Sequence, residues 1–278
     1  MNTLLQQLSD EVNARGYSEQ TLKAYLAANE HLIRYFEQPI TAISDEALGA
    51  YFKHLSLEKK LSRATIALKL NAIHFLYVNV LHREFTINVC WPKKQHKIPE
   101  LMSRAEVQAI IKHCSPEKYR VMLSILYGCG LRINELLNLK VQDIDGERST
   151  FKIRLGKGNK DRFVIIPPSL LIQLRHYWCH YHPGEWLFPS GLRGSYPLSE
   201  SALRRKLKST LQVLGIQKRC SPHSFRHAYA THQLEAGMPL HQLQHQLGHT
   251  DVRTTSRYLH WLPELSNQGR DLLAGWEV

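Results

Sequence analysis

Residues 223–260, HSFRHAYATHQLEAGMPLHQLQHQLGHTDVRTTSRYLH, hold the pattern on which the reading of this chain turns. Three helices are predicted in it, over 223–236, 240–247 and 251–260, with Gly237 at a C-terminal cap. His223 and Arg226 are three residues apart and so share one helix face. An arginine fork can bind two non-bridging phosphate oxygens while an imidazole donates a hydrogen bond or exchanges a proton. Leu247-Gly-His249 follows, and nine residues later comes Tyr258. A phenol can attack phosphorus only where adjacent cations neutralise the phosphate. Each feature also has an ordinary reading: a solvated His and Arg pair, and a packing tyrosine with its hydroxyl at the surface.

The preceding sequence adds cations in order. Gly130-Leu-Arg132-Ile-Asn-Glu135 places an arginine in the first turn of a short helix predicted over 133–138, just after a glycine turn. A helix N-terminus favours anions, whereas the simpler alternative pairs Arg132 with Glu135 across one turn. Phe151, Ile153 and Leu155 alternate with Lys152 and Arg154, and GKGNKD at 156–161 turns the chain back into Arg162–Ile166. That is a β-hairpin signal, with Lys157 and Lys160 near its glycine-rich tip. Further helices are predicted over 116–127, 169–182 and 199–214, and Ser103-Arg-Ala-Glu106 has the spacing of a capping box.

Residues 1–87 read as helices throughout, with Ser18, Ser44 and Ser62 placed to cap three of them and a long final run over 65–81. Residues 88–99, NVCWPKKQHKIP, break the pattern with Pro92 and Pro99 and add Lys93, Lys94 and Lys97. A basic linker is expected there, followed by a second domain over 100–278. The fold class is mainly α with a small β-hairpin or sheet, in two domains.

The 278 residues carry a formal charge of +12. Residues 1–92 hold nine basic and nine acidic side chains, so all of the excess, 27 basic against 15 acidic, falls in residues 93–278. A polyanionic partner follows for the second part. The longest mostly apolar stretch, 121–131, is too short and too interrupted to span a bilayer, and the N-terminus lacks the layout of a signal peptide, so no membrane and a cytoplasmic location are expected. The five dispersed cysteines argue against a disulfide framework.

Arginine after GCGL, lysine in a GKGNK hairpin, HSFRH, LGH and a tyrosine in RYLH together resemble, in order and spacing, the motifs of the tyrosine recombinase (phage integrase) family, across nearly the whole chain. The resemblance implies a core-binding domain over 1–87 and a catalytic domain over 100–278. It further implies that Arg132 and Arg226 clamp a scissile phosphate and Lys157 protonates the departing 5' oxygen. His223 would assist proton transfer, His249 would bind the phosphate or position the nucleophile, and Tyr258 would attack to give a 3'-phosphotyrosyl link. Lys157 is chosen over Lys160 by motif alignment alone. The Xer-like or mobile-element branch fits best, because only 56 residues separate Ile166 from His223, too few for the insertion of integron integrases. The partner implied is a double-stranded DNA recombination site, gripped in a clamp with Lys93, Lys94, Lys97 and Lys160 on the backbone and assembled as a homotetramer on two duplexes. The apolar residues of 259–278 would dock in the same protomer or a neighbour.

No cofactor and no metal are expected. His241, His245 and His249 recur at four-residue steps, but Gly248 would break their helix, and the cluster His176, Cys179, His180 and His182 reads as a packed aromatic helix end. Two family departures are visible: Tyr229 where phenylalanine is common, and a Gln- and His-rich 239–246. The competing functions are a type IB topoisomerase, a DNA-binding regulator with vestigial motifs and a metal-dependent transposase or nuclease.

Overall fold

The computed structural model describes residues 2–93, 100–154, 161–191 and 196–261. The chain divides into two compact units, Met1–Lys97 and Ile98–Val278. Lys94, Lys97, Lys157, Lys160 and most of the C-terminal tail lie outside the described residues.

The first unit is a bundle of α1 (Asn2–Ala14), α2 (Glu19–Phe36), α3 (Asp45–Leu57) and α4 (Arg63–Phe75). Three serines start the last three helices as their positions imply: Ser18 accepts from the Thr21 amide, Ser44 from that of Ala47 and Ser62 from that of Thr65. Leu8, Leu32, Leu48, Phe52 and Ile73 meet in a fully buried core. Asn29, also fully buried, donates through Nδ2 to the Tyr25 carbonyl on its own helix and the Ala72 carbonyl on α4. The expectation of helix throughout 1–87 fails at two places. Past Phe75 the helix widens into a π turn, Leu76–Val80, and residues 82–93 are non-helical. There Arg83 leaves the helical path to donate to the Ile43 carbonyl at 2.8 Å and to Asp45 at 3.0 Å, bonds that a continued helix would not reach.

The second unit is built around α6 (Glu117–Cys129), buried without a break from Val121 to Leu126. The capped α5 (Arg104–His113) and α8 (Pro168–Tyr181) pack on it, and α10 (Pro222–Glu235) lies along it with Phe225 and Ala228 inserted into the same core. The Ser103–Glu106 capping box forms with both hydrogen bonds. A short α7 (Ile133–Leu137) leads to an antiparallel sheet of three strands in sequence order, β1 (Ile144–Asp145), β2 (Thr150–Ile153) and β3 (Arg162–Ile165). The hairpin expectation corresponds to β2 and β3, which pair Phe151 with Val164; β1 carries too few residues to show an alternating pattern. After α9 (Glu200–Val213) and α10 come α11 (Leu240–Leu247), α12 (Val252–Ser256) and a 3-10 turn, Leu259–Trp261. The helix expected over 251–260 is thus two pieces, and Tyr258 sits between them.

Gly130 ends α6 with φ +64, a backbone conformation that a side chain disfavours, and a Cβ there would lie 2.4 Å from the Tyr229 ring. Gly130→Ala is expected to destabilise the protein by about 2 kcal/mol or more, from the left-handed backbone and the overpacked ring together. Denaturant unfolding checks this, and a wild-type midpoint would contradict it.

Candidate active site

α7, α10, the turn after α11 and the turn after α12 bring Arg132, His223, Arg226, His249 and Tyr258 around one cavity of about 280 Å3. Arg226 reaches it from the interior. Its side chain is only 1% exposed, yet Nη1 donates to the Gly130 carbonyl at 2.6 Å and Nη2 to the Leu247 carbonyl at 2.8 Å. Those carbonyls stand at the C-terminal ends of α6 and α11, where helix dipoles place partial negative charge. Nη2 also contacts Nε2 of His249 at 2.9 Å. A guanidinium only donates, so this Nε2 accepts and the ring proton of His249 sits on Nδ1, facing Thr255 Oγ1 at 2.8 Å. Burial, then the nearby Arg132, pull the Arg226 pKa down to about 10. It remains a cation at neutral pH.

Arg132 is the N-cap residue of α7 rather than a member of its first turn. The anion site expected at that helix end is already occupied: Glu135 accepts from the Arg132 backbone amide at 2.8 Å and from its Nη1 at 2.7 Å. The ordinary pairing thus forms while the same side chain lines the cavity, with Arg132 Nη2 also holding the Gly248 carbonyl at 3.1 Å. Arg162 closes the arrangement from β3 by a two-pronged contact to Glu135, each prong 2.8 Å. Its side chain passes over Gly248, where a Cβ would lie 2.7 Å from Arg162 Nε. Gly248 also adopts φ +62 and ends α11, so His249 leaves the helix face of His241 and His245.

Burial raises the Glu135 carboxyl, but the hydrogen bonds and charge of Arg162, followed by those of Arg132, outweigh it and hold the pKa at about 2. Burial, then Arg226, Arg132 and Arg204, lower the pKa of His223. Burial raises that of Tyr258, against a smaller opposing effect from Arg226. The phenol is 4% exposed, its ring stacked parallel on His249 at 6.5 Å and edge-on to Trp261 at 5.1 Å. The surface tyrosine of the ordinary reading is not what the structure contains.

Four participants were not singled out from the sequence. In the sequence Glu135 reads only as a one-turn partner of Arg132, and Arg162 only as a strand residue. Thr255 had no distinguishing pattern. His227, 3.2 Å from the Tyr258 hydroxyl through Nδ1, lies four residues after His223 and so carried a spacing signal that the motif reading passed over. The two family departures have structural tasks. Buried Tyr229 covers Gly130, and Gln246 bonds both backbone groups of Ile165 on β3 while Gln244 holds the His249 carbonyl.

The aromatic packing expected around His176 forms: buried Tyr177 stacks on Tyr181 at 4.7 Å, His176 meets His180 at 4.3 Å and Trp178 meets His182 at 5.3 Å, although Trp178 and Tyr181 stay 47% and 44% exposed. Glu117, His176 and His180 are the one group of three potential metal ligands that approach one another among the described residues, and none lines the cavity. No helix among the described residues is long and apolar enough to cross a membrane.

Glu135→Gln is expected to lower stability by about 3 kcal/mol or more at neutral pH, because it leaves Arg162 and Arg132 without their buried counter-charge. A carboxylate whose folded pKa is depressed contributes fully above its unfolded value and loses that contribution as pH falls. The stability gap between wild type and variant should therefore be constant above about pH 5 and shrink toward pH 2. A gap that widens in acid would contradict the ion-pair assignment.

The chain is similar to known proteins along nearly its whole length. A tyrosine recombinase of Pseudothermotoga lettingae is 31% identical over 273 residues, covering 94% of each chain. The tyrosine recombinase XerD of Rickettsia conorii is 33% identical over 246 residues, covering 78% of this chain and 79% of that one. The crystal structure of XerA recombinase aligns over 95% of both chains with a TM-score of 0.56 and 28% identity. Residues 4–87 match the phage integrase N-terminal SAM-like domain and residues 95–264 match the phage integrase family. Both parts of the chain are accounted for by one architecture, and the protein belongs to the phage integrase family of tyrosine recombinases.

Proposed function

We propose that this site-specific recombinase uses Tyr258 to attack a scissile DNA phosphate held by Arg132 and Arg226, forming a 3'-phosphotyrosyl link and releasing a 5' hydroxyl. The observation that carries the assignment is the convergence of a buried phenol with three arginines, Arg132, Arg226 and Arg257, and three histidines, His223, His227 and His249, on one cavity. Arg132, Arg162 and Arg226 gather around a single carboxylate, Glu135, which leaves positive charge for a phosphodiester to neutralise. Preorganised donors of this kind stabilise the charge that develops on the non-bridging oxygens in the transition state. His249 adds a ring held between Arg226 and Thr255, and His223 lines the same wall. Lys157 serves as the acid for the departing oxygen by its motif position. Attack of a 5' hydroxyl from a second duplex reverses the step and exchanges strands, with the phosphodiester energy kept in the phosphotyrosyl link.

The unit at residues 4–87 acts as the core-binding domain and the basic 88–99 segment crosses the DNA backbone. A homotetramer on two duplexes, working in the cytoplasm, completes the reading, and chromosomal resolution or mobile-element movement supplies its target.

The test begins with Tyr258→Phe protein used to select a duplex from a random-sequence pool. A nicked form of that duplex should trap a covalent adduct with wild-type protein and none with Tyr258→Phe. Two differently labelled duplexes should yield recombinant products, whereas supercoil relaxation without exchange would indicate a topoisomerase. Persistence of the adduct in Tyr258→Phe would overturn the nucleophile. Exposed Lys93 gives a separate check: Lys93→Ala should weaken binding across all sequences and reduce the slope of log affinity against log salt by about one.

A further inference from the structure

His227 is the one imidazole at this site to which the motif reading assigns no chemistry. It stands one turn beyond His223 on the same face of α10, with the two rings 4.3 Å apart. Its Nδ1 lies 3.2 Å from the hydroxyl of Tyr258. Trp261 meets the His227 ring edge-on at 5.3 Å and the Tyr258 ring edge-on at 5.1 Å, so the two polar side chains are held against each other by a third, apolar one. We propose that His227 takes the phenolic proton of Tyr258 as its oxygen attacks phosphorus, an assignment that rests on Tyr258 being the nucleophile.

The direction of the proton follows from the partners. Arg226 also bears on the phenol, and a guanidinium has hydrogens to give but no lone pair to offer. Any hydrogen bond between Arg226 and the phenol oxygen can run only from the guanidinium, so the phenol's own hydrogen must find its acceptor elsewhere. Both nitrogens of His249 are committed, Nε2 to Arg226 and Nδ1 to Thr255, while Nδ1 of His227 is within reach. Burial keeps the phenol protonated before reaction, so an acceptor is required when the oxygen becomes a nucleophile.

The step balances. The bond from the Tyr258 oxygen to phosphorus forms, the bond from phosphorus to the 5' oxygen breaks, and the phenolic proton passes to Nδ1 of His227. The departing 5' oxygen takes its proton from a different group, Lys157 in the reading above. In the reverse step the 5' hydroxyl gives its proton to Lys157, and the His227 imidazolium returns a proton to the departing phenol.

The surroundings make this base respond to substrate. The titratable and charged groups facing it are His223 and Arg226 from its own helix, Tyr258 and Arg257 after α12, and Arg132 and His249 across the cavity. Burial, then the charges of His223 and Arg226, hold the His227 pKa at about 4 in the DNA-free protein. The ring is neutral there, with its lone pair available but only weakly basic. A phosphodiester seated against Arg132 and Arg226 brings negative charge that opposes the effect of those cations, so the His227 pKa rises toward the ordinary histidine range as DNA binds.

The experiment uses full-length protein, the selected duplex and the cleavage position mapped with wild-type protein. Single-turnover cleavage is followed from acid to alkaline pH for wild type, His227→Ala and His227→Gln. It is repeated on a duplex with bridging sulfur in place of the 5' oxygen, whose thiolate leaves without needing a proton. Both variants should bind the duplex with wild-type affinity and cleave it about a hundredfold or more slowly at neutral pH. The deficit should narrow as alkali ionises the phenol directly, and it should persist with the sulfur leaving group. Glutamine preserves bulk and hydrogen bonding but cannot hold the proton, so loss in His227→Gln with intact binding separates proton transfer from packing. Wild-type rates in either variant, or relief by sulfur, would overturn the proposal. A wild-type protein that forms no adduct would instead refute the choice of Tyr258.

Discussion

The buried guanidinium of Arg226 is the constraint around which the second unit is arranged. A cation withdrawn from water is costly unless each donor is met, and here the matching acceptors are main-chain carbonyls at the ends of two helices and a histidine nitrogen. Meeting them fixes where α6 must stop, where α11 must stop and where His249 must stand. Gly130 and Gly248 follow from this: each turns the chain in a left-handed conformation at a place where another side chain passes too closely for a Cβ. The same bonds leave Arg226 short of a full counter-charge, and that residual deficit faces the cavity.

Glu135 sets how far the deficit extends. Its carboxylate joins Arg132 on α7 to Arg162 on β3, so the sheet and the helical part of the unit share one ion-pair network. With one carboxylate among three arginines the network is stable enough to be preorganised and still electropositive. Gln246 adds a second tie between sheet and helices by pairing with Ile165. Donors held in place before substrate arrives need no reorganisation when charge develops, which is where electrostatic catalysis gains most. Against that background the Tyr258 environment has a clear logic: burial and aromatic packing keep the phenol protonated and oriented beside Arg226 and Arg132, as the proposed attack on a phosphate requires.

Much of this was legible from the chain alone, and for identifiable reasons. Serine caps, apolar periodicity and proline breaks are local signals, so α2, α3, α4, α5 and the β2–β3 pair could be read directly, as could the change of character after residue 87. The failures were non-local in origin. The π turn after Phe75 and the non-helical 82–93 depend on Arg83 finding Ile43 and Asp45 forty residues earlier, which periodicity cannot register. The helix expected over 251–260 breaks around Tyr258, whose ring is held by His249 and Trp261.

The short motifs in their order, arginine after GCGL, lysine in the GKGNK hairpin, HSFRH, LGH and tyrosine in RYLH, carried the resemblance to a family and through it the phosphate chemistry, although each motif alone has an ordinary reading. Which groups touch which could come only from the folded chain. Glu135 looked like a surface partner and proved to be the shared counter-ion; Tyr258 looked half-exposed and proved to be enclosed; His227 looked incidental and proved to face the phenol. In each case the deciding quantity is burial, which sets the strength of a charge, the protonation of a phenol and the basicity of an imidazole, and burial is a property of what the rest of the chain brings alongside.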